Sequence, residues 1–334
     1  MKILILRLSS IGDIVLTQPV TKVLREVYPD ATIDYLTKEP FIGIVEAFGC
    51  IDTIHIWKNK KEILRKLRMQ KFDLVIDLQA KMNTFIIKFS IRGKKIVTYN
   101  KKHFLRKKIV KKITGKSIVS TVELYFSALK KIGITKTMEY PKLYPDKLKT
   151  SSLEKRFPGK KLISIFPGAL HTTKMYPLEK LAEFIDSVPL KWNCKFIILG
   201  SKSEKLLSVE LQENTKTELL DLCGEFNISQ LISVINNMDV IISNDSGPMH
   251  IAAALEKPQI VLFGATHPRL GFTPLNKKAV TISSNISCQP CSLHGSSICP
   301  KGHFLCMNSI SPEVIKKNLG KIINKNTQKS ISRL

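Results

Sequence analysis

Acidic residues are scarce in this sequence: 27 Asp and Glu stand against 53 Lys and Arg, a formal net charge of +26 over 334 residues. The shortage is sharpest between Lys58 and Lys116, which holds twenty Lys and Arg but only three acids, Glu62, Asp73 and Asp77. A field of that sign draws in polyanions, whether nucleic acid, anionic lipid or a phosphorylated glycolipid. A solvated, lysine-rich surface is the plain alternative. No helix-turn-helix spacing, aromatic RNP-like motif or finger accompanies the charge, so no specific nucleic acid partner is expected.

Long apolar runs are missing as well. No stretch of about eighteen apolar residues occurs, which excludes an ordinary membrane-spanning helix but not contact with a membrane surface. The start, MKILILRLSSIGDIVL, has the outline of a signal peptide, yet Arg7, Gly12 and Asp13 interrupt its apolar part and no small-residue cleavage site follows. It reads as a first strand, and the chain as cytoplasmic. The glycines of G-x-G-x-x-G are absent after that strand, which excludes a dinucleotide fingerprint. With 43% hydrophobic residues the chain is long enough for two domains.

Against these absences stands one dense stretch, Val240 to Gly264. An apolar run (Val240 to Ser243) reads as a buried strand, Asn244-Asp245-Ser246-Gly247 as a polar turn, and Pro248 as the first residue of a short helix stopped by Lys257-Pro258. Gln259 to Phe263 is a second strand, so the unit is a parallel crossover whose turn lies where open α/β sheets bind ligands. A helix N-terminus offers unpaired N–H groups and partial positive charge to a phosphate. Gly247 permits close approach, Ser246 brings a hydroxyl, Asp245 an acceptor and His250 an imidazole. Simple capping by Asp245 or Ser246 and space-filling by His250 are the bland reading.

The chain in order alternates strand and helix. Lys2 to Leu8 is a strand, Ser9-Ser10-Ile11-Gly12-Asp13 a small-residue turn, and Ile14 to Val27 a helix with Pro19 in its early turns. Asp13 at the helix start either caps it or faces a cleft as a general base. Thr32 to Leu36, Thr53 to Ile56, Phe72 to Asp77 and Ile96 to Tyr99 read as strands, with helices at Pro40 to Ala47 and Ile63 to Met69 and an apolar segment at Thr84 to Phe89. Lys101 to Lys116 is basic enough to suggest a mobile or ligand-ordered loop and helix. Val122 to Ile132 is an amphipathic helix. The Pro- and Lys-rich stretch Tyr140 to Lys161 reads as a linker. Leu162 to Phe166 opens a second α/β unit: Pro167-Gly168 is a strand-end turn, Phe196 to Leu199 a strand followed by Glu204, and Ile228 to Asn237 a helix. The expected organisation is residues 1–150 as one parallel-sheet domain and 151–334 as another, facing a central cleft.

Three of these motifs together resemble those of glycosyltransferase family 9, the lipopolysaccharide heptosyltransferases: Ser9 to Asp13, Pro167-Gly168 with Lys174 and Tyr176-Pro177, and Asn244 to His250. The resemblance runs along nearly the whole chain in order and spacing. It implies a GT-B fold of two Rossmann-like domains, acceptor on the N-terminal one and nucleotide-sugar on the C-terminal one. It makes Asp13 the general base, Lys174 a partner of the donor diphosphate, and Asp245, Ser246, Gly247 and His250 the lining of the donor site. Glu204 would hold the ribose and Phe226 would lie at the adenine. An inverting transfer needs a base on the acceptor and positive charge against the leaving diphosphate, which a lysine and a helix N-terminus supply without a metal. No Asp-x-Asp motif stands in a comparable place.

In this family the acceptor is a phosphorylated inner-core glycolipid at the cytoplasmic face of the inner membrane. Ser10, Lys101, Lys102, Arg106, Lys107 and Lys108 are therefore expected to hold its acidic groups and the anionic surface. Of seven cysteines, Cys50, Cys194 and Cys223 read as apolar fillers. Cys288, Cys291, Cys299 and Cys306, with His294 and His303 between them, cluster closely enough for a structural zinc, with free thiols or a disulfide as alternatives. Ser311-Pro312-Glu313 opens a C-terminal helix. The expected activity is heptose transfer from ADP-heptose to the lipopolysaccharide inner core, with no catalytic cofactor. The rivals are a family 9 enzyme using another nucleotide-sugar and a non-catalytic basic Rossmann-like protein binding nucleotide or nucleic acid.

Overall fold

The computed structural model describes residues 1–91, 93–145 and 153–331. They form two compact α/β units, one from Met1–Leu105 with Ile118–Pro145, the other from Arg106–Ser117 with the described residues after Pro145. The first carries strands β1 (Lys2–Leu6), β2 (Thr32–Thr37), β3 (Thr53–Ile56), β4 (Leu74–Asp77) and β5 (Lys95–Thr98). They lie in the order β3-β2-β1-β4-β5, every pair parallel. Ile3, Leu4, Ile5 and Leu6 of β1 are fully buried, as a central strand covered by helices on both faces requires.

The second unit repeats the plan with β6 (Lys161–Phe166), β7 (Cys194–Ile198), β8 (Leu220–Asp221), β9 (Val240–Asn244), β10 (Gln259–Phe263) and β11 (Ala279–Ser283). Their order is β11-β10-β9-β6-β7-β8, again all parallel. In each sheet the direction of winding reverses beside the first strand, between β1 and β4 and between β6 and β9. Such a reversal opens a crevice at the carboxyl ends of the strands, because successive crossovers leave to opposite sides. The Ser9–Asp13 turn follows β1, and the Pro167-Gly168 and Asp245–Gly247 turns follow β6 and β9, so the reversals position all three.

Several local expectations are revised. The helix read as continuous from Ile14 to Val27 is two, Ile11–Val15 and Gln18–Val27. Pro19 lacks an N–H and ends one ladder while starting the next, and the Thr17 hydroxyl donates to the Ile14 carbonyl at the break. The apolar segment Thr84 to Phe89 lies in a helix, Met82–Ile91. The helix Lys205–Glu213 and the edge strands β8 and β11 carry no strong periodic signal. Tyr140 to Pro145, read as the start of a linker, packs on the first unit: Leu143 is buried, the Tyr144 N–H donates to the Ala47 carbonyl, and the Tyr144 ring covers Gly49. The middle of that stretch, 146–152, lies outside the described residues. The C-terminal helix, Pro312–Ile331, buries Ile315, Leu319 and Ile323 in the second core. No helix among the described residues is long and apolar enough to cross a membrane.

Ile5, flanked by Tyr35 of β2 and Ile76 of β4, tests the first core. Ile5→Ala is expected to cost roughly 2–5 kcal/mol, lowering the urea midpoint while leaving the slope of the transition unchanged.

Candidate functional site

β1 runs straight into Arg7, a charged residue that is almost fully buried. Its guanidinium is met by oxygen on several sides: Nε donates to the Ser9 carbonyl at 2.7 Å, Nη1 to the Leu78 carbonyl at 2.5 Å, and Nη2 pairs with Asp13 Oδ2 at 2.5 Å. The Tyr125 ring lies 5.8 Å below it. Burial works against its charge, yet the Asp13 carboxylate and the surrounding tyrosines raise its pKa above the ordinary arginine value. Asp13 therefore sits beside a permanent cation. The Ser10 hydroxyl donates to its Oδ2 at 3.0 Å and the Tyr125 hydroxyl to its Oδ1 at 3.4 Å. Burial pushes the Tyr125 pKa well up, so that hydroxyl keeps its proton and remains a donor. About a quarter of the Asp13 side chain (26%) stays open to solvent. It is thus a fixed carboxylate with one accessible side, able to accept a proton from an incoming hydroxyl.

In the second unit Asn244, the last residue of β9, is a buried tie. Its Oδ1 accepts from the Tyr176 N–H at 3.1 Å and its Nδ2 donates to the Pro167 carbonyl at 2.8 Å, joining the β9 turn to the one after β6. Asp245 follows, its Oδ2 paired with Lys174 Nζ at 2.9 Å and accepting from the Thr266 hydroxyl at 2.6 Å. Ser246 is the N-cap of the helix Gly247–Ala254, but its buried hydroxyl makes no capping bond and meets no hydrogen-bond partner among the described residues. His250, one turn in, is buried.

Glu204 closes the same end of the sheet. Its Oε2 accepts from both the N–H and the hydroxyl of Ser201 at 2.6 Å, and its carboxylate occupies the space beside two strand-end glycines. A Cβ on Gly168 would fall 1.7 Å from Glu204 Oε1, and one on Gly200 would fall 3.2 Å from Oε2. Phe226 is half-buried just before Asn227, the cap of the helix Ile228–Asn236. Lys174 is steadied from behind by the cysteine-bearing segment. Gly295, at φ +94°, is so close that a Cβ there would press on the Lys174 stem, and Ser296 accepts from Thr173 through its carbonyl.

A carboxylate at the end of β1 and a lysine, a carboxylate and a helix N-terminus at the ends of β6 and β9 are the groups expected of the heptosyltransferases. Residues 61–300 match the family described as glycosyltransferase family 9 (heptosyltransferase). The chain belongs to that family. It is 28% identical over 295 residues to lipopolysaccharide heptosyltransferase 1 of Campylobacter coli, covering 80% of this chain and 84% of that one. Among solved structures, the Escherichia coli ADP-heptose lipopolysaccharide heptosyltransferase II superposes with a TM-score of 0.79 at 19% identity, covering 98% of this chain and 100% of the other. The E. coli heptosyltransferase WaaC with ADP gives 0.67 at 17%, over 96% and 100%. The fold is that of the GT-B glycosyltransferases, two Rossmann-like units each built on a parallel sheet, and the chain is an enzyme of glycosyl transfer.

The basic segment in this family 9 chain is placed differently from the sequence reading. Arg106, read as a cation available to an acceptor, is 3% exposed and stacks on the Phe272 ring at 4.6 Å. The segment Arg106–Ser117 packs with the second unit rather than the first, held where Arg269 Nη2 donates to the Lys116 carbonyl and Lys112 Nζ to that of Ser287. Lys102, Lys107 and Lys108 are exposed and Lys101 half-buried. The four cysteines expected to share a zinc form no disulfide, and Cys291 and Cys306 lie within electrostatic reach of Cys288 and Cys299. Among the described residues no three His, Cys, Asp or Glu side chains sit close enough to hold a metal. Cys306 is buried in the apolar core, with its pKa pushed up by burial to about 11, Cys291 points at the Ala265 carbonyl, and Cys288 faces His303 Nε2 at 3.9 Å. At Cys299 burial opposes the thiolate, but the N–H groups of residues 301 to 304 outweigh it and lower the pKa.

Arg7, Tyr125, Thr266 and Thr173 were not singled out from the sequence. Only Arg7 left a signal, a lone charge inside an apolar strand. Asn244 offers a direct test of the tie between the two turns. Asn244→Ala is expected to strand the Tyr176 N–H and the Pro167 carbonyl in the interior, costing about 1–3 kcal/mol by chemical denaturation.

Proposed function

We propose that this chain transfers a heptose from ADP-heptose to a phosphorylated lipopolysaccharide inner-core acceptor, with inversion and with Asp13 as general base. The observation that carries the reading is the setting of Asp13. One carboxylate is held by the Arg7 guanidinium and the Ser10 and Tyr125 hydroxyls, with a side left open. The relatives support the sugar and the acceptor class by their names, and the ADP-bound neighbour supports the nucleotide.

In the reaction the acceptor hydroxyl gives its proton to Asp13 as its oxygen attacks the anomeric carbon from the face opposite the diphosphate. The bond from that carbon to the diphosphate oxygen breaks, and ADP leaves with the electron pair. Lys174 and the N–H groups at the start of the helix Gly247–Ala254 would meet the charge that develops there, with the Ser246 hydroxyl as a further donor. Because Asp245 also accepts from Thr266, its carboxylate stays partnered when Lys174 turns to phosphate. Glu204 would take the ribose hydroxyls and Phe226 the adenine. No metal is needed for this division of charge. Lys101 and Lys102 of the first unit would meet the acidic groups of the acceptor, with the enzyme peripheral on the cytoplasmic face of the inner membrane.

Turnover of ADP-heptose with acceptor, alongside calorimetric ADP binding, tests the assignment. Asp13→Asn is expected to lose about 10²–10⁴-fold in kcat while binding ADP as the wild type does. Lys174→Ala is expected to lose both turnover and ADP affinity. ADP should raise the melting temperature more than UDP or GDP, since a ligand bound only by the folded state stabilises it. Full activity in Asp13→Asn, or equal protection by all three nucleotides, would refute the reading.

A further inference from the structure

The helix Met82–Ile91 is apolar on two opposite faces. Ile87 and Ile91 join the first core together with Ile63 and Leu67 of the neighbouring helix Lys60–Met69, and Thr84 is buried beside them. At roughly 100° per residue, Met82, Phe85 and Phe89 fall on the other side, and there they are 74%, 62% and 82% exposed. Two phenylalanines and a methionine in one stripe facing water are an unsatisfied surface, since soluble domains rarely leave such side chains together in solvent.

The neighbouring helix supplies the rest of the surface. Lys61, Arg65 and Arg68 are spaced four and three apart, so they share a face, and all three are exposed. Arg68 reaches the adjacent helix directly, its Nε donating to the Ser90 carbonyl at 3.0 Å, which sets the basic stripe alongside the apolar one. Met69, 73% exposed, ends the same helix. Of the nearby acids Asp73 is engaged with Lys94 and Asp77 with Lys88, leaving exposed Glu62 as a single negative charge among the cations of its helix. The surface therefore offers a partner aromatic carbon and positive charge.

We propose that the outer faces of these two helices dock on an anionic phospholipid bilayer, with Met82, Phe85 and Phe89 entering the boundary between headgroups and acyl chains and Lys61, Arg65 and Arg68 meeting the lipid phosphates. A bilayer presents a sheet of negative oxygens with hydrocarbon directly beneath, the two chemistries the stripes offer side by side. A second copy of this chain would bring the same cations against themselves, which disfavours self-association through this face. The proposal deepens the membrane-side location in the functional reading above by naming the face that makes contact. Its test uses neither donor nor acceptor, so it stands or falls apart from the transferase assignment.

The experiment is flotation of the full chain with vesicles of phosphatidylethanolamine and phosphatidylglycerol, compared with phosphatidylcholine alone. The wild type is expected to float with the anionic vesicles. Phe85→Ser with Phe89→Ser is expected to lower the bound fraction about tenfold at an unchanged melting temperature, because both side chains are exposed. Lys61→Gln with Arg65→Gln should weaken binding to anionic vesicles and leave the trace binding to phosphatidylcholine as it was. A Phe89→Trp chain should show a blue-shifted emission on anionic vesicles relative to the wild type, which carries Trp57 and Trp192. Flotation unaffected by the serine substitutions, equal flotation with both vesicle types, no emission shift, or a wild-type dimer that the serine substitutions dissolve would each overturn the proposal.

Discussion

A guanidinium withdrawn from water must be surrounded by oxygen, and the first unit is arranged to do that for Arg7. The demand explains features that otherwise look unrelated. The loop after β4 turns its Leu78 carbonyl inward, the loop after β1 turns back so that Ser9 does the same, and Asp13 completes the set from the first turn of a helix. Gln79 binds the Leu8 N–H and thereby locks the two loops to each other. Removing the carboxylate would leave a buried cation short of a partner, so position 13 matters to the fold as well as to any proton transfer.

The second unit solves a different problem, bringing three strand-end turns into register through neutral side chains. There the connecting group is neutral. The Asn244 amide donates to one turn and accepts from the next, and the Gln289 amide nitrogen gathers the carbonyls of Phe263, Gly264 and Thr266 after β10. Neutral amides leave the charges nearby, Lys174 and Asp245, paired with each other. The cysteine-bearing segment follows from the same logic. Through Gln289, Ser296 and Gly295 it buttresses Thr173, Lys174 and the β10 turn, and the packing of Cys306 in the core anchors its far end.

What the sequence makes legible is whatever depends on local pattern. The fully buried strands β1, β6, β9 and β10 announce themselves as apolar runs, and the turns after them as clusters of small and polar residues, so the two-sheet plan and the motifs at Asp13, Lys174 and Asp245 can be read directly. β8 escapes because it is two residues long and β11 because it is a half-buried edge strand without a sustained apolar run, and the helix Gln18–Val27 starts late because one proline outweighs an otherwise continuous pattern. The partners of Asp13 are out of reach for another reason. Tyr125 comes from a helix 112 residues away, and no spacing rule links an amphipathic helix to one atom of a distant carboxylate. Arg106 misleads because it sits in a run of cations, and only tertiary contact shows that this one side chain turns inward onto Phe272.

Gly168 and Glu204 show how far one vacancy can constrain a lineage. With Oε1 lying where a methyl group at 168 would have to go, an alanine there would push the Glu204 carboxylate aside. A descendant that acquired alanine at 168 would need a shorter acid at 204, and aspartate there would no longer reach back to Ser201. The start of the helix that follows β7 would then have to find another cap. Three residues from two loops, 168, 201 and 204, thus share one packed space.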